Sequence, residues 1–379
     1  MIRLVLIIIL LLLSLLSVFR APLHLLWYAE ILVTEFPWIF ILAEVGLLLW
    51  GLQAGRYAAA GTVMAFISLA LFLVPPISAA IIGRRLPEHM RAAGFGTADE
   101  NKAAPFRFRE MIPGLGNTIA YKSLVYTAPG VPALSLDFYA SKLAGTMPCI
   151  LVVHGGSWAG GNSKQLPEIN NHLAGKGYHV ASINYRLAPV HKSPAPVEDI
   201  RTALNFLQKE GSRLKIDTST FILLGRSAGG QLVLTAAYQL GLPQIKGVIS
   251  FYGPADMVWG AQHPANPLVF NSGEVLKNFL GGSNQEVPKA YVQSSPTTWV
   301  SGTSPPTLLL HGKNDVLVAY EHSVRLERLL EQFKVPHFLL TLPWATHGFD
   351  YTLSGPSGQL STYCIERFLE SVVAGKPHP

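Results

Sequence analysis

Three side chains that can together run nucleophilic catalysis occur in order along this chain: Ser227, Asp315 and His347. Ser227 lies in Gly225-Arg226-Ser227-Ala228-Gly229-Gly230, between an apolar run at 220–224 and a run of small residues at 228–240. By chance alone a Gly-x-Ser-x-Gly pattern arises in roughly one chain in ten of this length, so its context has to carry the reading. Glycines on both sides allow a sharp strand-to-helix turn, with the serine oxygen exposed at its tip. A serine hydroxyl is a weak nucleophile without a base, and the carbonyl it attacks becomes an oxyanion that needs donors. Upstream, His154-Gly155-Gly156-Ser157-Trp158 follows another apolar run. Its glycines let backbone N–H groups approach an oxyanion, so Gly155 and Gly156 are the candidate donors, with the N–H of Ala228 as partner.

Asp315, in His311-Gly312-Lys313-Asn314-Asp315, and His347, in Ala345-Thr346-His347-Gly348-Phe349, each fall just past a strand-like run. An open α/β sheet places its site residues at such strand ends. Asp315 would orient the imidazole and stabilise its charged form, while His347 would move the proton. His311, His322 and His337 are rival bases, but none is followed by the Gly-Phe turn that follows His347. His154 has no companion at metal-ligand spacing and reads as a structural hydrogen-bonding residue. Cys149 and Cys364 suggest neither a disulfide framework nor a metal site and read as buried free thiols.

These elements need a scaffold, and the chain joins two physical classes to provide one. Charged residues are 14% of the 379, against roughly 25% in a typical soluble protein. The deficit is concentrated in residues 1–85, where the charged side chains are Arg3, Arg20, Glu30, Glu35, Glu44, Arg56, Arg84 and Arg85. Apolar runs at 4–19, 37–53 and 59–82 read as about three membrane segments, the last two joined by a turn around Gly55-Arg56. Ser17-Val18-Phe19 is not a small-residue cleavage site, which argues against a signal peptide. Three crossings put Arg3 and Arg56 on one side, and Arg20, Arg84, Arg85 and Arg91 on the other with the catalytic part. The positive-inside rule then favours a cytoplasmic catalytic domain. Glu44 within a crossing should face another helix. The net charge of +6 comes from scattered basic residues without an aromatic-interleaved stripe, so nucleic acid is not the expected partner. A lipid bilayer is.

Residues 86–116 are polar, punctuated by Pro and Gly, and read as a linker. From 117 to 379, strand-like runs at 118–126, 134–139, 148–154, 179–185, 220–224, 247–252, 307–311 and 337–342 alternate with helical patterns. That alternation predicts a mostly parallel sheet covered on both faces. Residues 253–305 lack a clear strand and form a lid-like insertion.

The quoted motifs, with Asn184-Tyr185-Arg186-Leu187-Ala188-Pro189 and Phe251-Tyr252-Gly253-Pro254, make residues 117–372 resemble the α/β-hydrolase superfamily. The resemblance is to its hormone-sensitive-lipase-like and feruloyl-esterase-like carboxylesterases. It implies an α/β-hydrolase fold, here preceded by the transmembrane helices read above, and a serine esterase that needs no cofactor or metal. Its substrate would be a small hydrophobic ester. Acyl transfer with the same triad, or a non-catalytic scaffold, are the alternatives. Two departures stand out: hormone-sensitive-lipase-like enzymes usually carry Asp where this chain has Arg226, and the membrane region stands where a helical cap is often found.

Overall fold

The computed structural model describes residues 2–51, 58–96, 104–114, 118–128 and 132–374. The expected turn at Gly55-Arg56 lies outside these residues. The chain begins with five helices, α1 (Ile2–Ser14), α2 (His24–Glu35), α3 (Pro37–Trp50), α4 (Ala58–Phe72) and α5 (Val74–Ala92). An edge hairpin follows, β1 (Tyr121–Val125) and β2 (Ser135–Tyr139), and then β3 (Met147–Val153), α6 (Glu168–Gly175) and β4 (His179–Ile183). Next come α7 (Ala195–Lys209), the short α8 (Gly211–Leu214), β5 (Ile216–Arg226), α9 (Ala228–Leu240) and β6 (Ile245–Phe251). The insertion folds as α10 (Met257–Gln262), α11 (Ser272–Leu280) and α12 (Pro288–Gln293). The chain ends with β7 (Thr307–Gly312), α13 (Glu321–Gln332), β8 (His337–Leu342) and α14 (Pro356–Val373).

The strands form one sheet in the order β1-β2-β4-β3-β5-β6-β7-β8. β2 is antiparallel to β1 and β4, and the remaining pairs are parallel. Central parallel strands are covered on both faces, which is why β3 reads Cys-Ile-Leu-Val-Val without a polar break. Side chains alternate along a strand. Leu151 and Val153 accordingly face a core layer with Ile200 and Leu204 of α7 and Leu232 of α9. Ile150 and Val152 face the other layer, which holds Leu360 and Phe368 of α14. Cys149 and Cys364 are both buried and free, and burial pushes both thiols up.

The N-terminal region departs from the expected boundaries. α5 continues past residue 85, and its Leu86 and Met90 are buried in the same layer as Leu360 and Phe368. The first residues of the expected linker are therefore helix, held by the apolar face of α14. Among the described residues of the three expected membrane segments, only the last has the length and composition to cross a bilayer in one helical stretch, Ala59–Ala92, which joins α4 and α5. The second, α3, reaches that length only together with α2, and the pair is bent by 81°. The first ends at Ser17 and is shorter.

α1, α3 and α4 pack on one another through Ile7, Leu47 and Ala65. Arg3 donates from Nε to Leu47 O at 2.9 Å and from Nη2 to Thr62 Oγ1 at 3.1 Å. The start of α1, the end of α3 and the start of α4 therefore lie together. Glu44 is buried and faces a neighbouring helix, as expected, accepting from Ser68 Oγ at 2.6 Å. The outer faces of this bundle leave Leu12, Leu42, Leu49, Val63 and Phe66 exposed.

Candidate active site

The turn from β5 into α9 presents Ser227, the candidate nucleophile. Ser227 has φ 53°, a left-handed conformation that costs a β-carbon-bearing residue about 1–3 kcal/mol. Close packing enforces it: a Cβ on Gly225 would lie 2.2 Å from the carbonyl oxygen of Gly229. The Ser227 N–H is fixed by Phe251 O at 2.9 Å. Its hydroxyl, at the helix start, is 2.9 Å from His347 Nε2.

His347 and Asp315 come from the loops after β8 and β7, and the structure brings both to Ser227. His347 Nδ1 is 2.7 Å from Asp315 Oδ2. The other carboxylate oxygen accepts from the N–H groups of Leu317 and Val318 at 2.9 and 2.8 Å. His311, weighed above as a rival base, sits beside the acid instead. Its Nε2 is 3.2 Å from Asp315 Oδ2 and 3.0 Å from Val318 O, so both neighbours of Nε2 are acceptors. The proton therefore belongs on Nε2, and Nδ1 accepts from Ser323 Oγ at 2.7 Å. Burial alone would raise the Asp315 carboxyl. The charge of His347, with hydrogen bonds from His311 and His347, outweighs burial and holds Asp315 well below the usual carboxylate range. His322 and His337 have other partners, the Asp256 N–H and Val335 O.

The expected oxyanion donors do not all stand ready. The Gly155 N–H donates to Gln165 Oε1 at 2.7 Å, so it is already engaged. Gly155 is needed for another reason: a Cβ there would sit 3.2 Å from Ser227 Cβ and 3.1 Å from Arg226 O. Gly156 (φ 119°) and Ser157 (φ 55°) then turn the chain, and neither N–H has a hydrogen-bond acceptor among the described residues. Ala228 opens α9, where an N–H has no partner within the helix. The N–H groups of Gly156, Ser157 and Ala228 are thus the candidates left to receive an oxyanion. Sequence alone supplied flexible glycines, but the Gln165 side chain selects which N–H stays free. His154 plays a structural part, bonded through Nδ1 to Gly155 O at 2.7 Å and stacked on Tyr185 at 4.3 Å.

Several neighbours have partners that the sequence did not indicate. Arg226 is buried and paired with Asp350, and that carboxylate also accepts from the Tyr252 hydroxyl. The Tyr252 ring lies 4.2 Å from the His347 imidazole, centroid to centroid. From the far end of the chain, Trp27 of α2 donates from Nε1 to His347 O at 2.8 Å. Burial of Glu30, next on that helix face, outweighs its hydrogen bonds from Ala21 and Thr346 and raises its carboxyl to about 8. A cavity of about 390 Å³ adjoins the acid loop, lined by Arg20, Trp158, Met257, Val269, Phe270 and Leu317 among others. Its walls come from the N-terminal segment, the Gly155–Trp158 loop and the insertion together.

Comparison with known proteins follows the same outline. The BD-FAE family model matches residues 136–330, just over half of the chain. The probable carboxylic ester hydrolase LipM of Mycobacterium tuberculosis is 26% identical over 92% of this chain and 86% of its own length. That match is too long to be confined to the catalytic part. Esterase LipC of the same organism is 29% identical over 64% of this chain, which covers 63% of LipC, just under two thirds. Among solved structures, a bacterial heroin esterase superposes with a TM-score of 0.57 at 21% identity, covering 80% of this chain and 92% of that one. The chain belongs to the BD-FAE family, within the carboxylesterase branch of the α/β-hydrolases.

Proposed function

We propose that this protein hydrolyses a hydrophobic carboxylic ester at a membrane through an acyl-enzyme on Ser227. The observation that carries this reading is the unbroken run of bonds from Ser227 through His347 to Asp315, 2.9 and 2.7 Å long. The Ser227 oxygen attacks the ester carbonyl while its proton passes to His347 Nε2. Asp315, already ionised, stabilises the resulting imidazolium. The N–H groups of Gly156, Ser157 and Ala228 receive the oxyanion. His347 then gives the proton to the departing alcohol, leaving an acyl group on Ser227. Water, deprotonated by His347, attacks that acyl carbonyl; His347 returns the proton to the departing Ser227 oxygen, and the acid is released.

Support for a hydrophobic substrate comes from the cavity beside the acid loop, whose walls include Met257, Val269, Phe270 and Leu317. Support for membrane attachment comes from α1, α3 and α4, whose outer faces expose large apolar side chains in numbers unusual on a soluble surface. In this reading the bundle lies in the bilayer and α2 stays on the catalytic domain. Arg20, Arg84, Arg85 and Arg91 then fall at the domain end, which favours the cytoplasmic face. Kinetics on p-nitrophenyl esters of increasing chain length, with the detergent-solubilised protein, test the reading. Turnover that is lost in Ser227→Ala is expected, and no turnover by the wild type on any chain length would sink it.

A further inference from the structure

The segment from Arg20 to Glu35 touches each part of the site that a loop could misplace. Arg20 Nη2 donates to Lys313 O at 2.7 Å, two residues before Asp315. Trp27 Nε1 donates to the carbonyl of His347 itself. The His24 ring bonds Val269 O at 2.8 Å, its N–H bonds Leu268 O at 3.1 Å, and Asn266 Nδ2 donates to Pro22 O at 3.2 Å. The insertion is thereby tied to the same segment. Within the segment, the Ala21 N–H donates to Glu30 Oε2 at 3.1 Å and closes it on itself. At its far end Glu35 accepts from both the N–H and the hydroxyl of Ser357, at 3.1 and 2.6 Å, which anchors it to the start of α14.

The base is the part with most to lose. His347 is followed by Gly348 at φ 84°, in a loop with no strand partner of its own. A buried carbonyl seeks a donor, and the donor it finds fixes the plane of its peptide. Fixing that plane holds the His347 backbone from which the imidazole projects toward Asp315 and Ser227. Small displacements matter here, because about 1 Å of misplacement in a catalytic constellation can cost about 100-fold in rate.

We propose that Trp27 is a positioning residue for His347, and that the Arg20–Glu35 segment is a clamp holding the acid loop, the base loop and the insertion together. The clamp is continuous with α1 on one side and α3 on the other, so the seating of the apolar bundle is transmitted to the base. This rests on the reading of His347 as the general base for Ser227.

The test uses full-length protein in detergent: wild type, Ser227→Ala and Trp27→Phe, which keeps an aromatic ring and removes the N–H. kcat and KM for p-nitrophenyl acetate, the rate of fluorophosphonate labelling and the melting temperature are measured on each. For Trp27→Phe, kcat and the labelling rate are expected to fall together by about 10- to 100-fold, with KM within about twofold of wild type. Replacing the Trp27 indole by its benzothiophene isostere removes the N–H with almost no change of shape, and the same split is expected there if the Phe variant does not fold. Wild-type kcat in a folded variant without the N–H overturns the clamp. So does a loss of kcat that follows the melting temperature variant by variant. A wild type with neither turnover nor labelling would instead overturn the esterase reading.

Discussion

Arg226 and Asp350 form a buried ion pair, one residue before the nucleophile and three residues after the base. The pair explains how an Arg is accommodated, buried, next to Ser227. Asp350 neutralises it, Tyr252 bonds the same carboxylate, and the Tyr252 ring rests on His347. Removing one member of a buried pair strands the other charge, which costs about 3–5 kcal/mol. Arg226→Met is therefore expected to lower stability by about that amount in denaturant melts, and Arg226→Met with Asp350→Asn should recover much of it. Equal losses in the single and double variants would show that the pair is not the stabilising unit.

Ser227→Ala removes one hydroxyl from a turn held by backbone packing. Turnover should fall by about 10⁴-fold or more with the melting temperature nearly unchanged. His347→Ala and Asp315→Asn should each be severe, and the double variant hardly worse than His347→Ala, since the triad acts as a unit. His311→Gln is expected to be milder, about tenfold in kcat, because His311 supports the acid without touching the reacting atoms. A His311 variant as damaged as His347→Ala would move the base assignment.

Glu35 gives stability a pH signature. Burial, opposed by the hydrogen bonds from Ser357 and Gly358, raises its carboxyl from 4.5 to about 8. The folded state therefore keeps a proton that the unfolded chain gives up near pH 4.5. Between these values the unfolded state binds fewer protons, so stability falls as pH rises and levels off above about 8. The raised carboxyl of Glu30 acts in the same direction. Glu35→Gln cannot ionise and should flatten this slope, an effect on the order of a few kcal/mol across the window. Melting temperatures from pH 5 to 8 measure it, and identical slopes in wild type and variant would refute it.

That Ser227, His347 and Asp315 come together was legible because the signals are local. A glycine-flanked serine after an apolar run, and Asp and His just past two further runs, each announce themselves within about ten residues. Strand limits shifted by a few positions without consequence, as with β5, which starts at Ile216 where 220 was expected. What stayed hidden depends on contacts across the whole chain. Trp27 meets His347 through a backbone carbonyl 320 residues away, and no spacing rule encodes that. Residues 20–35 mix His, Glu and Thr with leucines, so they read neither as a membrane run nor as a clean amphipathic face. The end of the apolar region near residue 85 was equally misleading. α5 becomes charged there on its solvent side while Leu86 and Met90 continue into the core.

That continuation bears on what a simple truncation would do. Were residues 1–85 only a tether, cutting them away would release a soluble, active domain. Here the cut removes Trp27 from His347, Glu35 from Ser357 and Ala79 from the layer that covers α14. It also leaves Leu86 and Met90 in a severed helix end, and it uncovers Leu360, which lies against Gly83, at roughly 25 cal/mol per Å² of apolar surface. The truncated protein is therefore expected to aggregate, or to stay soluble with little turnover of p-nitrophenyl acetate. Leu12→Gln, Leu49→Gln and Phe66→Gln combined should behave in the opposite way. These side chains face outward from the bundle and touch nothing in the site. Their exchange should reduce the need for detergent while turnover of the short ester is retained. A truncated protein that is monodisperse and fully active would reduce the N-terminal helices to a tether and remove the clamp from the mechanism.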